Sequence, residues 1–475
     1  MALLSSTFFN PLVIAVSSNP RPKVTRAGKC FAVKRAVQIA EQMPQTKPMI
    51  FTESNGAPPI AKDAAEDFYN RMSTELVSYH ADWDTLHATS TPIYQTAAFK
   101  VSSPTESTGF SYSRISNPTR EALEVLLAKL DNAKYGYCFN TGMAALTAVF
   151  ELVNPGDEIV TVEDIYGGSY NFIRNLMARK EGIIVKRVDT TNLKHVIDNM
   201  SKKTKLIWLE TPTNPQLKIS DIRAIAEIAR AFGAILFIDN SIMSPVLNQP
   251  LDLGADIVMH SATKFIGGNN SVIAGSLATN RKDLADFIED YKNSTGCCLG
   301  PMDSWLCLEG IKTMALRVQE KQKNAIKVAE FLAKHPKVKI VNYPGLPSNP
   351  GYELHQKQAR GPGTVISFKT GSFALSKQVC RDTKRFSLTL GFGSVESALC
   401  LPWYTSHSEM PASVKERVGI TRDLVRLSVG IEDADQLIED LDQALAKDPT
   451  PVLYDELIED LEDQALAKDP IAALN

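Results

Sequence analysis

Apolar and polar residues alternate along the chain in two patterns from about residue 64 onward. Short apolar runs typical of buried strands lie at 158–162, 183–188, 205–209, 234–239 and 257–259. Between such runs, apolar residues recur with helical spacing, as in 121–130 and 224–232. Apolar strands that alternate with helices predict a mostly parallel sheet covered on both faces. The predicted fold class is therefore α/β.

A second region of alternating elements follows a long helical pattern from about Leu316 to Lys334, and it predicts a smaller C-terminal α/β domain. The chain then ends on two copies of one motif. LIEDLDQALAKDP occupies 437–449, and LIEDLEDQALAKDP occupies 457–470. A solenoid needs three or more copies, so the pair indicates a local duplication. We expect the first copy to form the last helix of the domain and the second copy to be redundant.

The first forty residues differ in composition from the rest of the chain. No Asp or Glu precedes Glu41, whereas this segment contains Lys and Arg residues and several serines. A basic, hydroxyl-rich and acid-poor leader is typical of an organelle transit peptide, and its start, MALLSS, favours the plastid. A secretory signal fits less well because the basic residues follow the short apolar run LVIAV. A plain disordered tail is the third interpretation.

Composition and charge exclude several classes of partner. The formal net charge of -3 offers no basic excess for nucleic acid. No apolar run reaches the roughly 20 residues of a membrane span. The 7 cysteines are scattered without a CxxC pair, which argues against a disulfide framework and against a zinc site. We expect a globular protein in a reducing compartment, without a metal, nucleic-acid or membrane partner.

Three places in the predicted sheet carry chemistry. Asp239 ends the apolar strand AILFID. Lys264 follows the next strand in the run SATK, beside Ser261 and Thr263. The third place is the small-residue run NTGMAA at 140–145, directly before an apolar helical stretch. Ligands of open α/β sheets bind outside the carboxyl ends of the strands, so we expect these groups to meet there.

Together the three places supply an anion cradle, an amine and a buried carboxylate, which pyridoxal phosphate (PLP) would use in full. Backbone N–H groups at the helix start bind its phosphate. Lys264 forms a Schiff base with its aldehyde, and Asp239 keeps its pyridine nitrogen protonated so that the ring accepts electrons. A lysine taken alone is most often a solvated surface residue. Ser261, Thr263 and Asp239 reverse that interpretation here.

Ten short runs, in order, make the chain resemble the trans-sulfuration group of fold-type I PLP enzymes. They are TPIYQTAAF, YSRISNPTREALE, NTGMAALTA, EDIYGGSYN, ETPTNPQLKISDI, IDNSIMSPV, MHSATKFIGG, GIKTMALR, YPGLP and DLVRLSVGIED. The resemblance covers about Trp83 to about Leu445. Within the group, GFGSVES, NSIMSPV and WLCLEGIKTMALR resemble the plant cystathionine β-lyases most. The resemblance implies the fold-type I PLP-dependent transferase fold, with a large PLP domain and a smaller C-terminal domain.

The resemblance also implies a division of the chain and an assembly. The segments are 1–50 (transit peptide and linker, without fixed structure), 51–118 (an N-terminal arm that reaches the neighbouring subunit), 119–316 (PLP-binding domain), 317–448 (C-terminal domain) and 449–475 (duplicated tail). A site shared between subunits implies at least a homodimer, and a homotetramer built as a dimer of dimers is usual. After removal of the leader, the protein is expected in the plastid stroma.

The resemblance assigns most of the cofactor contacts. Lys264 holds PLP and moves protons, Asp239 pairs with the pyridine nitrogen, and Tyr166 stacks on the ring and assists proton transfer. Asn214 lies near the phenolic oxygen of the ring. The phosphate ligands are Gly142, Met143, Ser261, Thr263 and, from the neighbouring subunit, Tyr112 and Arg114. The alternatives are a core tyrosine for Tyr166 and a solvated turn for the YSR run.

The implied reaction is α,β-elimination from a β-substituted L-alanine. Arg426 clamps the α-carboxylate in bidentate fashion, with Gly391 and Tyr112 also at the substrate. Lys264 takes the α-proton, and the β-substituent leaves with a proton from Lys264 or Tyr166. The first expectation is a cystathionine β-lyase, which converts L-cystathionine and water to homocysteine, pyruvate and ammonia in methionine biosynthesis.

Three positions depart from the plant β-lyase pattern. Residues 268–272 read GNNSV where a GH-x-D-V run is usual, Gly391 replaces a serine, and Glu309 replaces an arginine. Gly391 adds room and removes a hydroxyl beside the substrate, either as neutral drift or as the mark of a changed substrate. The second expectation is therefore a specialised C–N lyase such as mimosinase, which converts mimosine to 3-hydroxy-4-pyridone, pyruvate and ammonia. A cystathionine γ-synthase or γ-lyase is the third.

Two hypotheses from other classes have distinct signatures. A PLP-binding regulatory or carrier protein would be yellow but would turn over no amino acid. A generic nucleotide-binding α/β protein would need G-x-G-x-x-G or G-x-x-x-x-G-K-[ST] at the start of a helix, and the sequence contains neither in that place.

Overall fold

A computed structural model of the protein describes residues 58–79, 84–105, 109–180 and 182–448. The predicted transit peptide and the second copy of the tail repeat lie outside these residues. The described residues before 100 and after 109 belong to one compact unit. The described part of the other unit, residues 100–105 with Gly109, contains neither helix nor strand.

The first helix, α1 (Lys62–Val77), packs its apolar side onto the core of its own chain. Its buried residues recur with helical spacing and are Ala65, Tyr69, Met72 and Leu76. The Tyr69 hydroxyl also donates a hydrogen bond to the Arg360 carbonyl at 2.9 Å. The helical part of the predicted N-terminal arm is therefore anchored on the rest of the chain.

The larger sheet has seven strands in the order β1-β7-β6-β5-β4-β2-β3. They are β1 (Tyr135–Phe139), β2 (Glu158–Val162), β3 (Ile184–Val188), β4 (Thr204–Glu210), β5 (Ile235–Asp239), β6 (Ile257–His260) and β7 (Gly275–Thr279). Neighbouring strands are parallel except at β7, which is antiparallel to both β1 and β6. The predicted apolar runs form β2 to β6, so the mostly parallel sheet is confirmed.

Helices surround this sheet in the order that the alternating pattern predicts. They are α2 (Pro118–Leu130), α3 (Gly142–Phe150), α4 (Gly167–Arg179), α5 (Leu193–Asn199), α6 (Ile222–Phe232), α7 (Ser244–Leu247), α8 (Lys282–Thr295) and α9 (Pro301–Lys312), with a 3₁₀ turn at Pro250–Leu253. The Asn117 side chain caps α2 by accepting the Thr119 N–H. Gly233, at a φ of 71°, ends α6 in the left-handed conformation.

Successive residues of the central strands face two separate hydrophobic cores. In β4, Leu206 and Trp208 pack with α3, α4 and α8, whereas Ile207 and Leu209 pack with α5 and α6. Side chains alternate across a strand, so a continuous apolar run is buried on both faces of the sheet. The polar chemistry is therefore confined to the edge where the strands end.

The long helix predicted before the C-terminal region is α10 (Met314–Lys334). A second sheet follows, in the order β10-β11-β12-β9-β8, and it is antiparallel except for the β10–β11 pair. Its strands are β8 (Ile340–Asn342), β9 (Val365–Lys369), β10 (Ser387–Leu388), β11 (Ala398–Cys400) and β12 (Leu424–Ser428). The remaining helices are α11 (Tyr352–Gln358), α12 (Phe373–Asp382), α13 (Ala412–Arg417) and α14 (Ala434–Ala446). The first copy of the tail repeat forms most of α14, as predicted.

Membrane spans, metal-binding groups and disulfides concern only the residues that the structure describes. None of the helices there has both the length and the hydropathy of a membrane span. No group of three or more His, Cys, Asp or Glu side chains is arranged to hold a metal ion in that part of the chain. The cysteines at positions 138, 297, 298, 307, 380 and 400 are all free thiols.

Candidate active site

Three neighbouring strands of the large sheet end side by side at one edge. Glu210 of β4, Asp239 of β5 and Met259 of β6 are register partners. Asp239 accepts a hydrogen bond from the Ser241 N–H at 3.0 Å. Burial raises the pKa of Asp239, and the Ser241 hydrogen bonds and the nearby Lys264 oppose that rise. A carboxylate in this position favours a cationic ligand partner.

Lys264 lies in the turn that follows β6. The Lys264 N–H donates to the Ser261 carbonyl at 3.0 Å, and the Gly268 N–H donates to the Lys264 carbonyl at 2.8 Å. Its Nζ is 4.9 Å from the centroid of the Phe392 ring. Burial and the neighbouring Arg426 lower the pKa of Lys264 to about 8. A substantial fraction of the amine is therefore neutral and nucleophilic slightly above neutral pH.

The start of α3 faces the same turn. Thr141 caps the helix, and its hydroxyl accepts the Ala144 N–H at 2.9 Å. The N–H groups of the first helical residues, Gly142 and Met143, have no partner within the helix. A Cβ atom at Gly142 would lie 3.2 Å from both Cβ and Oγ of Ser261. The close approach that glycine permits brings two backbone donors and one hydroxyl together, which suits a phosphate group.

The Thr263 hydroxyl bonds to the backbone of Ala274. It donates to the Ala274 carbonyl at 3.1 Å and accepts the Ala274 N–H at 3.0 Å. The single hydroxyl proton is used inside the Lys264 turn. Ser261 is also tied to the strand ends, because its N–H donates to the Ser241 hydroxyl at 2.6 Å.

Tyr166 precedes α4 above the strand ends. Its N–H donates to Oε2 of Glu210 at 3.1 Å. Its ring is 39% exposed and meets the His407 ring edge-on, with 6.3 Å between centroids. Burial raises the pKa of the Tyr166 phenol, and Arg426 opposes this rise. A protonated phenol with one free face can stack on a ring or donate a proton.

Arg426 of β12 brings the C-terminal sheet into the site. It is only 2% exposed, and its Nη1 donates to the Asn214 side-chain carbonyl at 3.1 Å. Its Nη2 donates to the carbonyls of Leu390 at 2.6 Å and of Gly391 at 3.4 Å. The guanidinium is held by neutral oxygens, so its charge is available to a carboxylate. The structure thus brings Arg426, Asn214 and Gly391 together.

The position of Gly391 is open. A Cβ atom there would meet only Oδ1 of Asn270, at 3.9 Å. Asn270 belongs to the GNNSV run, so two of the three departures from the β-lyase pattern face each other across this space. The third departure lies elsewhere: Glu309 pairs with Lys312 within α9, at 2.6 Å. The first two positions therefore border one open space.

Tyr112 and Arg114 lie on the segment before α2. Arg114 donates to the Asn293 carbonyl in α8 and lies 5.6 Å from the centroid of the Tyr112 ring. The Tyr112 side chain is 45% exposed. In this subunit the two residues thus form an exposed cationic and aromatic pair at the surface near α8.

Two buried titratable residues at the site are absent from the sequence prediction. Burial raises the pKa of Glu210 well above its usual range, and Asp239 adds to this effect. Burial and the charge of Arg426 lower the pKa of His407 to about 3, so the imidazole is neutral and its Nε2 donates to the Asn214 carbonyl at 3.1 Å. Glu210 was detectable as the polar end of a buried strand, in the same way as Asp239.

The backbone N–H groups and side chains at this edge fit PLP. The α3 N-terminus with Ser261 matches a phosphate, the Asp239 carboxylate matches a protonated pyridine nitrogen, and the Lys264 amine matches an aldehyde. The close approach of Gly142 to Ser261 and the lowered pKa of Lys264 are the observations behind this fit. Arg426 then matches the carboxylate of an amino acid.

Known proteins have similar sequences and folds. The model of the Cys/Met metabolism PLP-dependent enzyme family matches residues 73–446. A chloroplastic mimosinase of Mimosa pudica is 62% identical over 447 residues, which are 94% of this chain and 99% of that protein. A chloroplastic cystathionine β-lyase of the same plant is 54% identical over 390 residues, 82% of this chain and 85% of that protein.

Solved structures of related enzymes have a similar fold. A cystathionine γ-lyase of Lactobacillus plantarum, complexed with L-serine, is 38% identical with a TM-score of 0.77, and covers 79% of this chain and 98% of that one. A cystathionine γ-synthase of Xanthomonas oryzae pv. oryzae, in complex with cystathionine, is 34% identical with a TM-score of 0.77, over 79% of this chain and 97% of that one. The chain therefore belongs to the Cys/Met metabolism family of PLP-dependent enzymes and is a PLP-dependent lyase.

Proposed function

We propose that this lyase cleaves the C–N bond of mimosine by α,β-elimination and releases 3-hydroxy-4-pyridone, pyruvate and ammonia. The observation that carries the proposal is the 62% identity with a mimosinase over 94% of the chain, compared with 54% over 82% for a cystathionine β-lyase of the same plant. The relatives support both expected substrates, and this difference favours mimosine over L-cystathionine. The two reactions differ only in the leaving group.

The residues of the candidate site have separate roles in this reaction. Arg426 binds the α-carboxylate of the substrate and orients its Cα–H bond. Lys264 would hold the cofactor, and its Nζ would take the α-proton of the substrate. Lys264 Nζ or the Tyr166 phenol returns a proton to the departing pyridone. The aminoacrylate that remains is hydrolysed by water to pyruvate and ammonia.

The residues that would bind the cofactor follow from the groups at this edge of the sheet. PLP, when bound, supplies an electron sink for the charge that develops at Cα. Asp239 would hold its pyridine nitrogen, and Asn214 would hold its phenolic oxygen. Gly142, Met143, Ser261 and Thr263 would hold its phosphate. Thr263 can join them only by redirecting the hydroxyl proton that it gives to Ala274.

Arg426→Lys is expected to raise KM for the amino-acid substrate by about 30-fold, with a smaller loss of kcat, because a lysine cannot bind a carboxylate in bidentate fashion. Steady-state kinetics with pyruvate detection measures both constants. The exposed Arg417→Lys is the matched control and should change neither. An unchanged KM in Arg426→Lys would contradict the assigned role in carboxylate binding.

Gly391→Ser tests which substrate the open space serves. A Cβ atom at this position meets only Oδ1 of Asn270, at 3.9 Å, so the protein should fold normally. Filling the space is expected to lower kcat/KM for mimosine relative to L-cystathionine by about tenfold. One group added to or removed from a substrate pocket typically changes discrimination between two substrates by about this factor. Pyruvate release from each substrate, with the co-product identified, gives the ratio.

The control for this substitution is Gly300→Ser, since a Cβ at Gly300 also meets a single atom, Oδ2 of Asp303 at 3.8 Å. That variant should keep the parental ratio. A parental enzyme that prefers L-cystathionine and releases homocysteine would establish the second candidate, a β-lyase, which the 54% identity favours. Release of 2-oxobutyrate would indicate γ-elimination instead.

We also infer that the enzyme is a homo-oligomer of the plastid stroma, with a dimer as the smallest active unit. The exposed pair Tyr112 and Arg114 supports this inference, because these residues suit a phosphate on a neighbouring subunit better than a solvated turn. The chloroplastic mimosinase and β-lyase relatives and the acid-poor leader support the location. A dimer of dimers is the expected final assembly.

A further inference from the structure

A lysine lies fully buried behind the active site. Lys321 of α10 is 0% exposed, and its Nζ donates to the carbonyl of Ser394. The same ammonium group lies 5.2 Å from the centroid of the Phe265 ring. Phe265 directly follows Lys264, and Ser394 lies three residues after Gly391. One side chain therefore contacts both the Lys264 turn and the loop that carries Gly391.

A second buried cation lies one turn earlier on the same helix. Both terminal nitrogens of Arg317 donate to the Phe265 carbonyl at 3.0 Å, and its Nη2 also donates to the Gly310 carbonyl at 2.6 Å. Among the described residues, neither Lys321 nor Arg317 forms an ion pair. Burial lowers the pKa of Lys321 to about 7, with Arg317 adding to the effect and Glu432 opposing it.

The two segments that Lys321 contacts are packed directly on each other. A Cβ atom at Gly393 would lie 2.9 Å from the Phe265 nitrogen and 3.1 Å from Cβ of Lys264. The Val395 N–H donates to the Gly268 carbonyl at 3.0 Å. The start of the same loop supplies the Leu390 and Gly391 carbonyls that hold the Arg426 guanidinium. A shift of the loop would therefore move Arg426 relative to Lys264.

Burying two neighbouring cations without carboxylate partners is unfavourable for folding. An apolar side chain of similar length would fill the space without that cost, but it would leave the Ser394 carbonyl without this donor. The ammonium group of Lys321 fixes the loop at the carbonyl, and the guanidinium of Arg317 fixes the turn. This arrangement is costly for stability but gives the two segments a defined relative position.

We propose that Lys321 is a positioning residue that fixes the Gly391–Val395 loop against the Lys264 turn and thereby holds Arg426 at the distance from Lys264 that an amino-acid substrate requires. Lys321 itself touches neither substrate nor cofactor. The inference rests on the proposed function only in requiring that an α-amino acid binds at Arg426. It does not depend on which leaving group the substrate carries.

The test compares Lys321→Met with Lys321→Gln in the PLP-loaded enzyme. The Met variant keeps the length of the side chain but not the donor, and it should raise KM by about tenfold with less effect on kcat. The Gln variant keeps an N–H donor for Ser394 and should recover most of the loss. Lys323→Met, at an exposed position of the same helix, should behave as the parent.

Two further readouts separate this role from a structural one and from the identity of the substrate. The dissociation constant for L-alanine, followed by the visible absorbance of the PLP-loaded enzyme, should weaken in Lys321→Met in parallel with KM and recover in Lys321→Gln. The unfolding temperatures of the two variants should not follow the order of their dissociation constants. An unchanged KM and dissociation constant in Lys321→Met, or equal losses in both variants that follow the unfolding temperature, would overturn the proposal. If mimosine is not turned over, the L-alanine measurement still decides it.

Discussion

Lys264→Ala is expected to abolish β-elimination, with a fall in kcat of about 10⁴-fold, because the variant lacks both the covalent anchor of the cofactor and the base for the α-proton. The Lys264 amine is suited to both tasks, since burial and Arg426 lower its pKa to about 8. Borohydride reduction of the PLP-loaded enzyme should attach the cofactor irreversibly to the parent and not to the variant. Mass spectrometry of the labelled peptide measures this directly.

The same pKa makes a prediction about pH. In the cofactor-free parent, the neutral amine increases about fivefold between pH 7 and pH 8 for a pKa of about 8, so covalent attachment of PLP should accelerate by a similar factor. An exposed control, Lys282→Ala, should show the parental rates. Covalent labelling of Lys264→Ala, or a pH-independent rate in the parent, would refute the assignment of Lys264.

Lys264→Ala should not unfold the protein. The folded-state pKa of Lys264 lies below its usual 10.5, so the charged amine opposes folding at neutral pH. The cofactor-free variant is therefore expected to have the same free energy of unfolding as the parent at neutral pH, or a higher one. Lost activity with retained stability would place the effect in the chemistry.

The sequence is sufficient for those parts of the fold and site that depend on local patterns. The apolar runs of β2 to β6 are too continuous for one-sided strands, so both sheet faces had to be covered. The carboxyl ends of parallel strands share one edge, which brings Asp239 and the Lys264 turn together without knowledge of the structure. The start of α3 is readable from its glycine and its threonine cap.

The parts that could not be predicted depend on contacts between distant segments. Lys321 looks like any other lysine of an amphipathic helix, and only tertiary packing buries it against Ser394. Gly391 and Asn270 are far apart in the chain, and only the fold brings them close together. Thr263 has the right spacing for a phosphate ligand, yet its hydroxyl bonds to the Ala274 backbone, because the strand that follows returns beside the turn.

In the proposed reaction, the departures at Gly391 and Asn270 lie apart from the catalytic residues. Arg426 and Lys264 would act on the part of the substrate that all β-substituted alanines share, and Asp239 would act on the cofactor. The open space beside Asn270 is next to the Arg426 anchor, because that guanidinium is bonded to the Gly391 carbonyl. A change of leaving group is therefore compatible with an unchanged catalytic set.

Asp239→Asn is expected to lower kcat by about 10²–10³-fold, because an amide cannot keep the pyridine nitrogen of the cofactor protonated and the ring then accepts electrons less well. The local structure should survive, since the amide oxygen can still accept the Ser241 N–H that the carboxylate accepts at 3.0 Å. Affinity for PLP should also fall. Single-turnover kinetics at saturating PLP separates the loss of chemistry from the loss of cofactor.

Unlike kcat, the stability of the cofactor-free protein should rise in Asp239→Asn. Burial raises the pKa of Asp239 above its usual 3.8, so ionising this carboxyl costs stability at neutral pH, and the cost disappears as the pH falls toward 3.8. The cofactor-free Asp239→Asn protein should therefore unfold at a higher temperature than the parent at pH 7, with a difference that shrinks on acidification. The exposed Asp290→Asn provides the control for substitution alone. A purely structural aspartate would instead lower the unfolding temperature when replaced, with or without PLP, so a gain in stability combined with a loss of kcat identifies Asp239 as a carboxylate placed for the cofactor.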